Sequence, residues 1–229
     1  MDGILLIDKP KGWTSFDVVA KIRGIIRKQT GQKKPKVGHT GTLDPLATGL
    51  MIVVVGKYTK RAEEFSKLDK VYEVVMRLGQ TSTTADDEGE KTVVSDVKPE
   101  LTEIQEALRS FVGDIRQIPP IFSAMKVNGQ RAYKLARAGK EVRLEPRPVT
   151  IHSIELTGYR YPEVKFTAHV SSGTYIRSLV VDIGEKLGTG AYMSDLRRSK
   201  VGGFDLGQAV LVTDDEKRII SLVVTKTKE

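Results

Sequence analysis

Gly38-His39-Thr40-Gly41-Thr42-Leu43-Asp44-Pro45-Leu46-Ala47-Thr48-Gly49 is the stretch on which the reading of this chain turns. It lies between a basic, irregular segment and the apolar run Leu50-Met51-Ile52-Val53-Val54-Val55. Its glycines, its proline and its small hydroxyl residues predict an extended loop whose backbone can be approached closely. Asp44 is its sole acid and His39 its sole imidazole. An Asp-Pro pair taken alone reads as the cap of a helical turn, with Pro45 at the first helical position. The Leu-Ala-Thr-Gly that follows leaves room for no more than one turn. Glycines on both sides leave the carboxylate open to a ligand.

Immediately upstream, residues 27–36 hold five cations in ten positions, Arg27, Lys28, Lys33, Lys34 and Lys36, among Gly and Pro. The segment reads as a solvated loop or as an electrostatic landing strip, and its adjacency to the Asp44 loop favours the strip. Farther back, residues 3–7 read as a short buried strand closed by the turn Asp8-Lys9-Pro10-Lys11-Gly12. Ser15 then reads as an N-cap, with Phe16, Val19, Ile22 and Ile26 at helical spacing behind it.

Downstream, the continuous apolar run 50–55 suits a central strand covered on both faces. A short helix is expected over 60–68. Residues 71–78 alternate, which turns Tyr72, Val74, Met76 and Leu78 inward and Glu73 and Arg77 outward. Asp86-Asp87-Glu88-Gly89 lacks the ligand spacing of a calcium loop and reads as an acidic turn. Thr102 with Gln105 reads as a capping box ahead of a buried stripe of Ile104, Ala107, Leu108 and Phe111.

The character changes over 117–145. Pro119-Pro120 forbids regular structure, Asn128-Gly129 signals a hairpin turn, and 131–137 is a short basic helical piece. Lys126, Arg131, Lys134, Arg137, Lys140 and Arg143 are interleaved with Phe122 and Tyr133. Cations and rings on an irregular excursion suggest a clamp over RNA, against the alternative of a surface subdomain with solvated charges. A hairpin around Tyr161-Pro162-Glu163 follows. Ser172-Gly173 ends it, and a helix begins at Thr174 with Ile176, Val180, Ile183 and Leu187 on one stripe. Tyr175 and Arg177 then fall in the first helical turn. A cation there opposes the helix dipole unless a carboxylate or phosphate answers it. Residues 196–200, with Arg197, Arg198 and Lys200, read as one more basic edge.

Composition narrows the function class. The chain has 229 residues, 39% hydrophobic and 29% charged, with a formal charge of +8. That balance favours a polyanionic partner. There is no cysteine, so disulfides and thiolate chemistry are excluded. None of His39, His152 and His169 stands at metal-ligand spacing from another, and no phosphate-binding or dinucleotide fingerprint is present. No apolar run reaches spanning length and no signal-peptide layout opens the chain, so a cytoplasmic protein without membrane contact is expected. Catalysis, if any, is then free of cofactor and metal, with a carboxylate as nucleophile or base. Asp44 is the best-placed carboxylate, and Arg177 is the candidate guanidinium to keep it ionised. Hairpins and capped helices without regular βαβ alternation predict an α+β fold on a mixed, mainly antiparallel sheet.

The run GHTGTLDPLATG resembles the catalytic-loop motif of the TruB family, the tRNA pseudouridine synthases that act on the T-arm. The likeness continues in LLIDKPKG (5–12), YEVVMRLG (72–79), IPPIFSAMK (118–126) and SGTYIR (172–177), and so spans roughly 3–200. It implies the pseudouridine-synthase fold, with tRNA as the partner and the T-arm uridine at position 55 as the reacting nucleotide. It makes Tyr72 the active-site tyrosine and sets the turn carrying Lys9 and Lys11 near Asp44, in an RNA-facing or a structural role. It makes 117–145, with Lys126 and Arg131, an RNA-gripping insertion in a single catalytic domain. Tyr72 would cover a flipped-out uracil, with His39 bracing the vacated space and Tyr175 beside the substrate. Asp44 would attack uracil C6 or ribose C1′, and the group that removes the C5 proton stays open. Members of the family commonly continue into a C-terminal RNA-binding domain of the PUA type, and residues up to Glu229 leave no complete one. A monomer is expected. Two rivals stand beside this reading, a non-catalytic RNA-binding or RNA-folding module and a base-releasing glycosidase.

Overall fold

A computed structural model describes residues 1–123, 125–127 and 129–223. They divide into two compact units, one of Met1–Tyr72 with Leu196–Glu229 and one of Glu73–Asp195. Among the described residues no helix is long and apolar enough to cross a membrane.

In chain order the first unit opens with β1 (Gly3–Lys9), α1 (Ser15–Thr30), β2 (Val37–His39) and β3 (Thr48–Val55). A 3-10 turn (Gly56–Arg61) and α2 (Ala62–Ser66) stand where one short helix was expected. β4 (Lys70–Leu78) leads into the second unit, which holds β5 (Gln80–Ser82), β6 (Lys91–Val93), α3 (Leu101–Arg109) and β7 (Gly113–Gln117). The insertion follows with β8 (Lys126–Val127), β9 (Gln130–Arg131) and α4 (Ala132–Arg137). Next come β10 (Arg147–Arg160), β11 (Glu163–Val170) and α5 (Ile176–Lys186), and β12 (Ala191–Val201) leads back. The first unit closes with β13 (Phe204–Asp205), β14 (Val210–Leu211) and α6 (Glu216–Ser221).

Strand order in the first unit is β14-β1-β3-β12, and in the second β4-β11-β10-β7. Pairing is antiparallel for β1/β3, β2/β3, β10/β11 and β10/β7 and parallel for β1/β14 and β3/β12. The fold is the mixed, mainly antiparallel α+β arrangement that the sequence predicts.

β3 carries the core of the first unit. Residues 50–55 are each at most 1% exposed, as a strand covered on both faces must be. Met51, Val53 and Val55 meet Val18, Val19, Ile22, Ile25 and Ile26 of α1 on one side. Leu50, Ile52 and Val54 meet Phe65 and Val201 on the other. Each such side chain contributes about 1.5–3 kcal/mol on burial. Phe16, expected on the α1 stripe, is 64% exposed. It precedes Ile22 by six residues, about 240° round the helix, so it falls off the buried face.

Two caps also differ from expectation. Thr14, not Ser15, caps α1, in a reciprocal box with Asp17. Glu100 with Glu103, not Thr102 with Gln105, caps α3. In both the residue in extended conformation directly before the first helical residue takes the role. β4 keeps the predicted parity, with Tyr72, Val74, Met76 and Leu78 buried and Glu73 exposed.

Candidate active site

In the first unit the loop that carries Asp44 is fastened at every few residues. Thr40 N–H donates to the Ile52 carbonyl at 3.1 Å, and Arg198 Nη2 donates to the Gly41 carbonyl at 3.2 Å. Leu43, buried, is bonded through both its backbone groups to the Ser15 hydroxyl. Past Asp44 the chain makes a turn closed by Ala47 N–H to the Asp44 carbonyl, 3.1 Å, with Pro45 at the second position, where its fixed φ fits. Gly12 N–H and Lys9 Nζ both reach the Pro45 carbonyl, at 2.8 and 3.4 Å. No helical turn forms, so the Asp-Pro pair does not cap a helix. Gly49 ends the loop with φ +102°, and a Cβ there would stand 2.3 Å from the Arg198 carbonyl, which admits glycine alone.

The Asp44 loop is backed by buried cations. Lys9 is fully buried and also donates to the carbonyls of Trp13 at 2.7 Å and Pro10 at 3.0 Å. Burial pulls its ammonium down to about 8, against the supporting charge of Asp44 and with the Arg198 guanidinium pulling the same way as burial. Fully buried, its ammonium is committed to three backbone carbonyls. Lys70, also buried, donates to the carbonyls of Ser66 and Leu68 and is likewise drawn down to about 8 by burial. Arg198 is 2% exposed and donates from Nε to the Leu50 carbonyl at 2.7 Å. Arg197, beside it, pairs with Asp8 at 2.7 Å. Where the sequence predicts a basic edge, Arg197 is therefore ion-paired and Arg198 buried.

His39 ends β2, half-buried, its Nδ1 enclosed without a hydrogen-bond partner. Burial, then the Arg198 charge, lowers its pKa, which keeps the imidazole neutral at pH 7. Tyr72 lies in the same unit, 8% exposed on the inward side of β4. Lys11 is exposed on the turn after Lys9.

In the second unit Tyr175 is the N-cap residue of α5 and Arg177 the second residue of the helix. The Gln117 side-chain amide clamps Tyr175, accepting from its N–H at 2.8 Å and donating to its carbonyl at 3.0 Å. Tyr175 lines a cavity of about 440 Å³ with Pro119, Met125, Val149 and Ser172. Arg177 is 6% exposed, and its guanidinium donates to the carbonyls of Thr84 at 3.1 Å and Phe122 at 2.8 Å. The Asp86 carboxylate lies 3.6 Å from it, so the turn read as merely acidic supplies a buried counter-charge at the helix start. The root of the insertion is thus tied to the first turn of α5. Within the insertion Ala132 N–H bonds the Met125 carbonyl at 2.7 Å, and Arg137 lies over the Tyr133 ring. Arg131 is exposed; the side chain of Lys126 lies outside the described residues.

A family model described as "TruB family pseudouridylate synthase (N terminal domain)" matches residues 27–176, and a "tRNA pseudouridylate synthase B C-terminal domain" matches 177–219. The chain belongs to the TruB family of pseudouridylate synthases. Relatives named tRNA pseudouridine synthase B include one from Phocaeicola vulgatus, 48% identical over 91% of this chain and 89% of its own length. Another, from Clostridium novyi, is 50% identical over 89% of this chain and 68% of its own length. Among solved structures, a chain of a Cbf5-Nop10-Gar1 complex is similar with a TM-score of 0.72 and 30% identity. The likeness covers 94% of this chain, which spans about half (54%) of that one.

Against this TruB background, several residues that shape the site carried no sequence signal strong enough to single them out. Ser15 was indistinguishable from a cap, and Gln117 from any residue at the edge of an excursion. Arg198 did leave a trace, since it shares strand parity with buried Leu196.

Proposed function

We propose that this chain isomerises the uridine at position 55 in the T-arm of tRNA to pseudouridine, as a monomer and without cofactor. One observation carries the reading: a half-buried carboxylate, Asp44, presented on a loop whose backbone is fixed by Lys9, Gly12, Ser15, Thr40 and Arg198. Fixed placement is what covalent attack on a ring or sugar carbon needs, because misplacement by about 1 Å costs on the order of 10²-fold in rate. The relatives' names support tRNA as substrate, and the loop motif supports the T-arm.

In this mechanism the uridine leaves its stack, and Tyr72 covers the flipped ring while neutral His39 fills the space it vacates. Asp44 attacks C6 of the base or C1′ of the sugar. The bond from N1 to C1′ breaks, the base turns, and C5 bonds to C1′. C5 then loses its proton, N1 gains one, and Asp44 is released, so no atom is gained or lost. Arg177 is the guanidinium assigned to keep the attacking carboxylate ionised, and the insertion grips the RNA.

Mass spectrometry of nucleosides from treated tRNA, with site mapping, tests the reading. Pseudouridine at position 55, lost in Asp44→Asn with tRNA binding kept within a few-fold, is the expected result. Unchanged uridine with wild-type protein would assign a binding module, and an abasic site a glycosidase.

A further inference from the structure

One cleft of the first unit has no part in that mechanism. Between α1 and the segment entering β2 lies a cavity of about 620 Å³ whose walls include Arg23, Arg27, Lys33, Lys34 and Lys36 and no acid. Lys28, the neighbouring cation outside the cleft, is neutralised by Glu216 at 2.8 Å. None of the five wall cations has a carboxylate in ion-pair range among the described residues. Arg23 is held in place by its bond to the Val37 carbonyl at 3.1 Å, while Arg27, Lys33, Lys34 and Lys36 are exposed. Five like charges around one cleft repel one another, and the described residues offer them no carboxylate in ion-pair range.

Gly24 gives a second, independent indication. It sits inside α1, where glycine costs about 0.8–1 kcal/mol relative to alanine. A Cβ built on it meets no heavy atom within 4 Å, so packing does not demand glycine there. Gly24 lines the cleft, and its missing side chain keeps the floor open to a molecule from outside.

We propose that this groove seats the phosphodiester backbone of the substrate RNA away from the reacting nucleotide, an inference that rests on the RNA-modifying function proposed above. The cations come from two walls of the cleft, Arg23 and Arg27 about one turn apart on α1 and Lys33, Lys34 and Lys36 on the segment entering β2, which suits successive phosphates better than one free anion. No aromatic ring lines it, so it reads charge and not base identity. β2 runs from Val37 in the groove wall to His39 at the Asp44 loop, two strand steps or about 7 Å. A strand held in the groove therefore lies within a few nucleotides of that loop.

The test is tRNA binding by fluorescence anisotropy across a KCl series, using the full chain, Lys33→Gln with Lys34→Gln, and Gly24→Glu. The double variant should flatten the log–log salt slope by about 0.7–0.9 per lost phosphate contact, up to roughly 1.8 in all. Gly24→Glu, which sets a carboxylate on the floor, should weaken binding at least as much. Gly24→Ala adds a methyl without charge and should melt at or above the wild-type temperature, which reports on the helix alone. Should Gly24→Glu fail to fold, the surface lysine variant decides. Wild-type Kd and salt slope in the lysine variant overturn the groove while pseudouridine formation by the wild type stands. A wild-type chain that neither binds tRNA nor isomerises it overturns the functional reading, and the groove assignment falls with it.

Discussion

The Ser15 hydroxyl is bonded twice to Leu43, donating to its carbonyl at 3.0 Å and accepting from its N–H at 2.8 Å. It thereby ties the first residue of α1 to the residue before Asp44. Both partners are buried, Ser15 and Leu43 at 3% exposure each. Ser15→Ala should leave two backbone groups unsatisfied and cost about 1–3 kcal/mol of stability. The turnover number should fall further than tRNA affinity, because the loop loses its fixed placement. Single-turnover kinetics beside binding measurements would separate the two, and an unaltered rate constant would reduce the bond to a packing detail.

What the sequence made legible follows from the range of the forces involved. β3 and β4 were readable because burial of apolar residues leaves a run or an alternation in the chain itself. The α1 stripe was readable for the same reason, although Phe16 lies about 240° round the helix from Ile22 and so falls off it. Asp86, Arg177 and Arg198 could not be placed this way. A charged side chain is buried only where distant carbonyls or counter-charges receive it, and those partners, Thr84 and Phe122 for Arg177 or Leu50 and Gly41 for Arg198, lie far along the chain. The motif pointed to Asp44, and the structure adds what holds it.

Lys9 gives a pH signature. Burial brings its ammonium to about 8 in the folded protein, against about 10.5 in an unfolded chain. Between those values the unfolded state binds more protons, so stability attributable to Lys9 rises with pH. Below about 8 the penalty is constant. Urea unfolding of wild type and Lys9→Met at pH 7, 8, 9 and 10 should show wild type gaining on the variant above pH 8. A difference independent of pH would mean that Lys9 is solvated.

Asp182 titrates in the opposite sense. Partial burial in α5, aided by the Glu185 charge, raises its carboxyl to about 6. The folded state then holds the proton more tightly, so this group adds stability at low pH and loses it as pH rises through about 6. Asp182→Asn should therefore stabilise the protein at pH 7, by about 1 kcal/mol once solvent screening of a half-exposed group is allowed for. The gain should fade as pH falls toward 4. Equal melting shifts at pH 5 and pH 8 would contradict it.

Arg177 and Asp86 form a pair buried to 7% and 3% side-chain exposure, with 3.6 Å between Nη1 and the carboxylate. The Asp86 carboxylate also accepts from the Thr84 hydroxyl and from Glu88 N–H, the latter at 3.1 Å, so the turn is shaped around it. Ala85, between them, is held at φ 62°, a conformation that costs a non-glycine residue about 1 kcal/mol or more. A turn under that strain persists because the pair determines it. Asp86→Asn keeps the shape but removes a buried counter-charge of the guanidinium and should cost roughly 3 kcal/mol. Arg177→Met alone strands the Asp86 carboxylate and should cost a similar amount. Together the two substitutions remove both charges, so the double variant should be more stable than the sum of the single losses implies, by about 1 kcal/mol or more. Chemical denaturation of the four proteins closes the cycle. Strict additivity would show that Asp86 serves its own turn and does not compensate Arg177.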